Sequence, residues 1–193
     1  MKEKGKLRKE EIILKALELF SEQGYKETSL QEIADKLGVT RPAFYYYFDS
    51  KEEILWSIVE RLGFQLLEGA KPIISEDGNP QQELRLILEN HVTTLVQNSA
   101  AFKVYFNERD SVDKRRSRKL KKGEDEYVHL VALVIKRGQE RGIFKQGDPV
   151  VISLILLGTC NSLVRWYSEK GPIKLAELKN IVVEILMHGV LAK

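Results

Sequence analysis

The stretch "SLQEIADKLGVTRPAFYYYFDSKEEIL", residues 29–55, decides the fold of this 193-residue chain. It places three consecutive tyrosines, Tyr45–Tyr47, between Phe44 and Phe48. Successive side chains of a helix are about 100° apart, so three in a row cannot all face one core. The two phenylalanines are four residues apart and share one face of a helix. We therefore predict that Phe44 and Phe48 point inward and that the tyrosines remain on the outside.

The same stretch predicts two short helices joined by a tight turn. Ser29, with Glu32 three residues later, forms a capping box for the first helix, and Thr40 is predicted to cap the second. Pro42 is tolerated in the first turn of that helix. Gly38 occupies the connecting turn, where a positive φ is often required. Such a pair is a helix-turn-helix, whose second helix enters the major groove of DNA.

Nine residues around this element are predicted to contact DNA. The guanidinium group of Arg41 fits the O6 and N7 atoms of guanine, and tyrosine hydroxyls can donate to phosphates. Lys51 and the hydroxyls of Thr28 and Ser29 are predicted to contact phosphates near helix N-termini. The full set is Thr28, Ser29, Thr40, Arg41, Ala43, Tyr45, Tyr46, Tyr47 and Lys51.

Helical periodicity continues through the remaining chain, and strand signals are nearly absent. Helices are predicted over 9–23, 51–69, 80–97, 100–108, 118–141, 148–168 and 173–190, with Gly- and Pro-containing loops between several of them. The sequence thus predicts an all-α fold, in which an N-terminal three-helix helix-turn-helix domain of residues 1–50 precedes a larger C-terminal helical domain of residues 51–193.

Composition limits the class of protein. The chain has 31 basic and 28 acidic residues, so DNA binding must rest on a local surface and not on overall charge. A single cysteine, Cys160, excludes an intramolecular disulfide and fits a reducing compartment. The N-terminus lacks an apolar secretory segment, and the apolar stretch 150–164 is too short to span a bilayer. We expect a cytoplasmic protein without a membrane partner.

Residues 19–55, "LFSEQGYKETSLQEIADKLGVTRPAFYYYFDSKEEIL", resemble the TetR family of transcriptional repressors. The family motif is matched at Gly24–Tyr25, Thr28–Ser29, Ile33–Ala34, Gly38–Val39, Tyr45–Phe48 and Ser50–Glu52. Tyr47 departs from the family, which most often has histidine there. The resemblance implies a homodimer that binds a palindromic operator in double-stranded DNA, with the C-terminal domain serving dimerisation and the binding of a small-molecule inducer.

The C-terminal half is similar to regulators of fatty-acid or steroid catabolism, chiefly at Arg165–Tyr167 and Gly171–Pro172. That similarity implies an acyl-CoA thioester as inducer; a sensor of hydrophobic drugs that controls an efflux gene is the alternative. Candidate ligand-binding residues are polar or aromatic side chains on apolar helices, and for each one an ordinary core role remains open. They are His91, Phe102, Phe106, Asn107, Arg109, Tyr127, Asn161, Arg165 and Trp166.

Two further segments carry predictions. Helix 148–168 is apolar almost all round, which predicts one side in its own domain and the other against a second subunit. The last helix is predicted to complete this four-helix interface with Leu178, Ile181, Val182, Ile185 and Leu186; a monomer core is the alternative. Residues 109–122 hold eight basic residues against two acidic ones. This basic segment is a solvated surface, a rim for CoA phosphates or, ranked lowest because it is expected far from the recognition helix, a DNA contact.

Other classes of protein receive little support. Cys160 has no histidine near it in sequence, and His91, His129 and His188 lack the spacing of metal ligands. The chain shows no phosphate-binding loop and no nucleophile elbow. We therefore expect no enzyme, no cofactor and no metal site. A helical adaptor would not need the exposed tyrosines and would not bind duplex DNA.

Overall fold

The computed structural model describes residues 2–192, with side chains from residue 9 onward. The basic residues Lys2, Lys4, Lys6, Arg8 and Lys9 predict either an arm along the DNA backbone or a disordered tail, and all but Lys9 lie outside the described side chains. Regular structure in this part of the chain is helical, which confirms the predicted all-α fold. The α-helices are α1 (Lys2–Glu22), α2 (Leu30–Lys36), α3 (Arg41–Tyr45), α4 (Lys51–Ala70), α5 (Pro80–Gln97), α6 (Ser99–Glu108), α7 (Lys114–Glu140), α8 (Pro149–Trp166) and α9 (Leu175–Val190). Short 3-10 turns, Lys71–Ile73 and Arg109–Ser111, follow α4 and α6.

The chain divides into two compact units. The first unit comprises Met1–Leu62 and Ala100–Leu120, and the second comprises Gly63–Ser99 and Lys121–Lys193. The division is not a single cut in the chain, because α4 and α7 each continue from one unit into the other. Helix α6 and the first turns of α7 therefore belong to the same unit as the predicted DNA-binding helices.

The first unit is built on α1, which packs against α2, while α2 packs against α3. Two glycines stop its helices in backbone conformations that side chains with a Cβ rarely adopt: Gly24 has a φ of 101° and Gly38 a φ of 64°. The turn predicted at Gly38 is confirmed, and the helix predicted over 9–23 ends just before Gly24. The buried core of these helices contains Ile12, Ala16, Leu19, Phe20, Ile33, Ala34, Phe44 and Phe48.

The second unit is centred on α5, against which α8 and α9 pack. Its α5 side contributes Leu84, Ile87, Leu88, Val92 and Leu95, all fully buried. Helix α9 buries Leu178 and Leu186 in the protomer. The prediction that these two leucines form a seam between subunits is therefore wrong, because they lie on the face of α9 that packs inward.

Helix α8 is 18 residues long and apolar enough, by length and composition, to cross a membrane. The helix extends beyond residues 150–164, so the predicted length of this apolar stretch is too short. One-third of the helix is buried inside the protomer, where it packs along α5.

Candidate nucleic-acid interface

The inner face of α3 is anchored by two phenylalanines. Phe44 and Phe48 are each 1% exposed, which confirms the prediction that they point inward. The Nζ atom of Lys9 on α1 lies 4.9 Å from the centroid of the Phe48 ring. Helix α3 has only five residues and cannot be stable by itself. Its orientation is therefore set by these two buried rings.

The outer face of α3 presents polar and aromatic side chains. Arg41, Ala43, Tyr45 and Tyr46 are exposed, and Tyr46 is 82% exposed. The guanidinium carbon of Arg41 lies 5.5 Å from the centroid of the Tyr45 ring, a cation–π distance. Tyr47 is half-buried, and its ring meets that of Tyr46 edge-on at 5.1 Å. Arg41, Ala43, Tyr45 and Tyr46 thus form one exposed surface, which we call the reading surface.

The N-termini of α2 and α3 differ in their caps. The Ser29 Oγ atom accepts a hydrogen bond from the backbone N–H of Glu32 at 3.1 Å, as predicted. Thr40 stands at the N-cap of α3 but makes no side-chain cap bond. The prediction that its side chain caps α3 is wrong, since one of the two usual donors belongs to Pro42, which has no N–H. Thr40 is exposed and can direct its hydroxyl to a phosphate.

Thr28 is used inside the fold. Its side chain is 1% exposed, and its hydroxyl donates to the carbonyl of Gly24 at 2.8 Å. The same oxygen lies 3.2 Å from Gln23 Nε2, which donates to it. The predicted phosphate contact of this hydroxyl does not fit these bonds. Thr28 instead secures the turn between α1 and α2.

Lys51 braces the same turn from the start of α4. Its ammonium group donates to the carbonyls of Tyr25 at 2.5 Å and Lys26 at 3.1 Å, and it lies 4.5 Å from the centroid of the Tyr25 ring. Burial lowers the pKa of Lys51 below its ordinary value. Two of the three N–H groups are therefore engaged, so the predicted phosphate contact is restricted to the third.

Three of the predicted ligand-binding residues meet in the second unit. His91 Nδ1 lies 3.0 Å from the Tyr127 hydroxyl, and His91 Nε2 lies 3.0 Å from Asn161 Oδ1. Burial lowers the pKa of His91 to about 4 and raises that of Tyr127. Both groups are therefore neutral at pH 7, and helices α5, α7 and α8 are joined by an uncharged polar cluster.

The other predicted ligand residues do not join this cluster. Phe102, Phe106, Asn107 and Arg109 belong to the first unit, where only Phe102 is buried among them, its ring packed near that of Phe106 at 6.0 Å. Arg165 and Trp166 are exposed at the end of α8, and Trp166 is 59% exposed. Within the protomer these two side chains therefore do not line the polar cluster, and their predicted ligand contact stays a prediction.

Comparison with known proteins decides the class. Residues 12–58 match the model of bacterial regulatory proteins of the tetR family, and residues 77–190 match the tetracyclin repressor-like C-terminal domain. The chain belongs to the TetR family. It is a DNA-binding transcriptional regulator and not an enzyme.

Individual relatives of this TetR-family regulator extend over nearly its whole length. The fatty acid metabolism regulator protein of Bacillus subtilis is 27% identical over 185 residues, which cover 93% of this chain and 94% of the relative. PfmR from Thermus thermophilus is 27% identical, with a TM-score of 0.85 and coverage of 92% and 97%. AibR, solved in complex with isovaleryl coenzyme A and operator DNA, is 20% identical, with a TM-score of 0.83 and coverage of 93% and 98%.

Two buried polar residues of the regulator's second unit were not predicted from the sequence. Gln65 Oε1 and Asn90 Nδ2 are buried atoms without a hydrogen-bond partner among the described residues. The side chain of Asn90 packs directly against Gly69: a Cβ atom added to this glycine would lie 2.6 Å from Asn90 Nδ2. An amide on an amphipathic helix gives no distinct signal, because it is equally common on the solvated face. Only the packing of α4 against α5 reveals that these groups are buried.

The regulator also exposes an apolar stripe on α8 and α9. The helices carry five large aliphatic side chains whose exposed fractions lie between 45% and 66%: Val151, Leu154, Ile155, Ile181 and Ile185. Exposed apolar side chains that share one face of a helix indicate an interaction site. TetR-family regulators bind DNA as dimers.

Proposed function

We propose that this regulator binds an inverted-repeat operator as a homodimer in the cytoplasm and represses transcription until a small-molecule inducer releases it. The observation that carries the proposal is the reading surface, displayed outward while Phe44 and Phe48 are buried. Two such surfaces on a twofold dimer would enter successive major grooves, roughly 34–36 Å apart or somewhat more.

Within this proposal the roles divide near residue 50. Residues 1–50 carry the DNA contacts, and residues 51–193 serve dimerisation and ligand binding. The proposed contacts are Arg41 to a base edge and the remaining side chains to phosphates, sugars or thymine methyl groups. They comprise Ser29, Thr40, Arg41, Ala43, Tyr45, Tyr46, Tyr47 and the third N–H of Lys51.

The exposed apolar stripe of α8 and α9 is the proposed dimer seam. Leu154 and Ile185 are 53% and 66% exposed in the protomer, and pairing two copies would bury them. Obligate seams of this type often bury about 2,000 Å² or more. A dimer is also what an inverted-repeat operator requires, because one protomer reads one half-site.

The proposed inducer is an acyl-CoA thioester. A relative is named as a regulator of fatty acid metabolism, and AibR was solved with isovaleryl coenzyme A. The proposed ligand contacts in the second unit are the uncharged cluster of His91, Tyr127 and Asn161, together with Gln65 Oε1 and Asn90 Nδ2, which have no partner among the described residues. Helix α4 is proposed to transmit the effect of the bound inducer to the DNA-binding helices, since it runs from the first unit into the second. An inducer releases DNA only if it binds the DNA-free conformation more tightly.

A mobility-shift assay tests the proposal, with the DNA upstream of the protein's own gene as probe. We expect a dimer-sized shift that is reversed by isovaleryl-CoA or a longer acyl-CoA and not by the matching free acid. Reversal by hydrophobic cationic drugs alone would favour the efflux-type sensor. A protein that shifts no upstream fragment at low salt would refute the regulator.

A further inference from the structure

The start of α7 is fixed beside the start of α4. Glu52, in the first turn of α4, accepts a hydrogen bond from the backbone N–H of Asp113 at 2.7 Å, and its carboxylate lies 3.7 Å from the guanidinium group of Arg116. The preceding residue, Lys51, contacts the turn between α1 and α2. The N-terminus of α7 thus lies beside the N-terminal end of α4. In the sequence, this end begins five residues after Tyr46, the last residue of the reading surface.

Two cations of the basic segment are used to hold α7 in this position. Arg116 and Lys119 lie over the ring of Trp56 on α4, at 5.9 Å and 5.5 Å from its centroid. Lys119 also pairs with Glu60, one turn further along α4. Pairs of this kind are individually weak. Together with the Arg116–Glu52 pair, however, they make four side-chain contacts between α4 and α7, and these fix the rotation of α7 about its axis. Arg116 and Lys119 are therefore directed toward α4.

The same rotation directs the remaining cations of these turns to solvent. Lys114, Arg115 and Arg118 are exposed and belong to the first unit. Two acids close in sequence are already engaged: Asp113 accepts from the backbone N–H groups of Arg115 and Arg116 at 2.8 Å and 2.9 Å, and Glu108 accepts from the Ser111 hydroxyl at 2.8 Å. Asp110 is the remaining acid of the segment. Positive charge is thus concentrated at the N-terminus of α7, which lies beside the first turn of α4.

We propose that Lys114 and Arg115 contact the phosphate backbone of operator DNA and extend the binding site beyond the helix-turn-helix. The surface suits duplex DNA because phosphates are its regular source of negative charge and flexible cations contact them without regard to sequence. The inference rests on the proposed DNA-binding function. It also reverses the sequence-based ranking, which expected the basic segment to lie far from the recognition helix.

The test compares two double variants of the same helix. Lys114→Gln with Arg115→Gln removes the two proposed contacts, whereas Lys121→Gln with Lys122→Gln removes the same charge about 10 Å further along α7. Operator affinity is measured between 50 and 200 mM salt for both variants and the wild type. Removing two phosphate contacts should reduce the fall in affinity over this range by roughly tenfold. The weakening of binding at 50 mM salt should be similar on operator and on unrelated duplex DNA.

The outcomes distinguish failure of the proposed contact at Lys114 and Arg115 from failure of the proposed DNA-binding function. A reduced salt dependence in the 114/115 variant, with the 121/122 variant close to wild type, would support the surface. Equal changes in both variants would show an effect of net charge, and an unchanged 114/115 variant would show no contact; either result overturns the proposal. If the wild type binds no DNA, the proposed function fails first. Equal thermal unfolding of both variants and the wild type excludes loss of folding as the cause.

Discussion

At the scale of single residues, the position of Arg41 carries the sharpest statement about DNA. Its guanidinium group is exposed and lies over the Tyr45 ring. This cation–π contact orients the guanidinium group in the DNA-free protein. We expect Arg41→Ala to reduce operator affinity by roughly 1–3 kcal/mol and to relax preference at one base pair. Binding to a set of operators with single substitutions measures both effects.

Arg41→Lys is the matched control, because it keeps the charge and loses the planar fork. It should lose sequence preference while its salt dependence stays that of the wild type. If Arg41→Ala instead weakened all sequences equally, Arg41 would be a phosphate contact and not a base reader.

His91 gives a prediction for pH. Its pKa is about 4 in the folded protein against 6.5 for an ordinary histidine. Between these values the unfolded chain binds a proton that the folded protein does not, so stability is complete above pH 6.5 and is lost as the pH falls toward 4. The loss should reach roughly 3 kcal/mol for this one group.

Urea unfolding from pH 7 to pH 4.5, at one protein concentration, measures this loss. His91→Gln keeps hydrogen-bonding groups but does not titrate, so its stability should fall less steeply than that of the wild type. Parallel curves for the two proteins would contradict a buried neutral histidine.

At the scale of elements, the two faces of α3 have different roles: the buried face stabilises the fold, and the exposed face is proposed to bind DNA. Phe44→Ala should destabilise the protein by about 3–5 kcal/mol, because the ring is fully buried and anchors a helix of five residues. Tyr46→Ala, at an 82% exposed position, should change stability by about 0.5 kcal/mol or less and still weaken operator binding. Chemical unfolding and mobility shifts on both variants test the division; a Tyr46→Ala variant that unfolds as easily as Phe44→Ala would refute it.

Most helices could be predicted from periodicity and caps. The predicted 80–97 helix is reproduced by α5, and α8 and α9 end or begin within two residues of prediction. Helix α7 was predicted from 118 but begins at Lys114. The reason is that Asp113 caps it by accepting from the N–H groups of Arg115 and Arg116, a signal hidden inside a run of cations.

At the scale of the whole molecule, prediction was limited by contacts between distant parts of the chain. Periodicity shows that Lys51 begins a helix but not that its ammonium group is held by Tyr25 and Lys26. Likewise, the assignment of Ala100–Leu120 to the first unit depends on long-range contacts such as that of Glu52 with Asp113. The charge of the basic segment could be read from the sequence, but its place in the molecule could not.

The proposed dimer leads to a prediction for the complete regulator. Ile185→Asp would place a carboxylate in the apolar seam of α9, where burial without a partner is strongly unfavourable. We expect a monomer by sedimentation and a loss of operator affinity of about 10²–10⁴-fold, because two half-sites are no longer held together. Leu133→Asp is the matched control: this α7 side chain is also apolar and 51% exposed but lies off the proposed seam. A dimeric Ile185→Asp variant with wild-type affinity would show that the two copies pair through another surface.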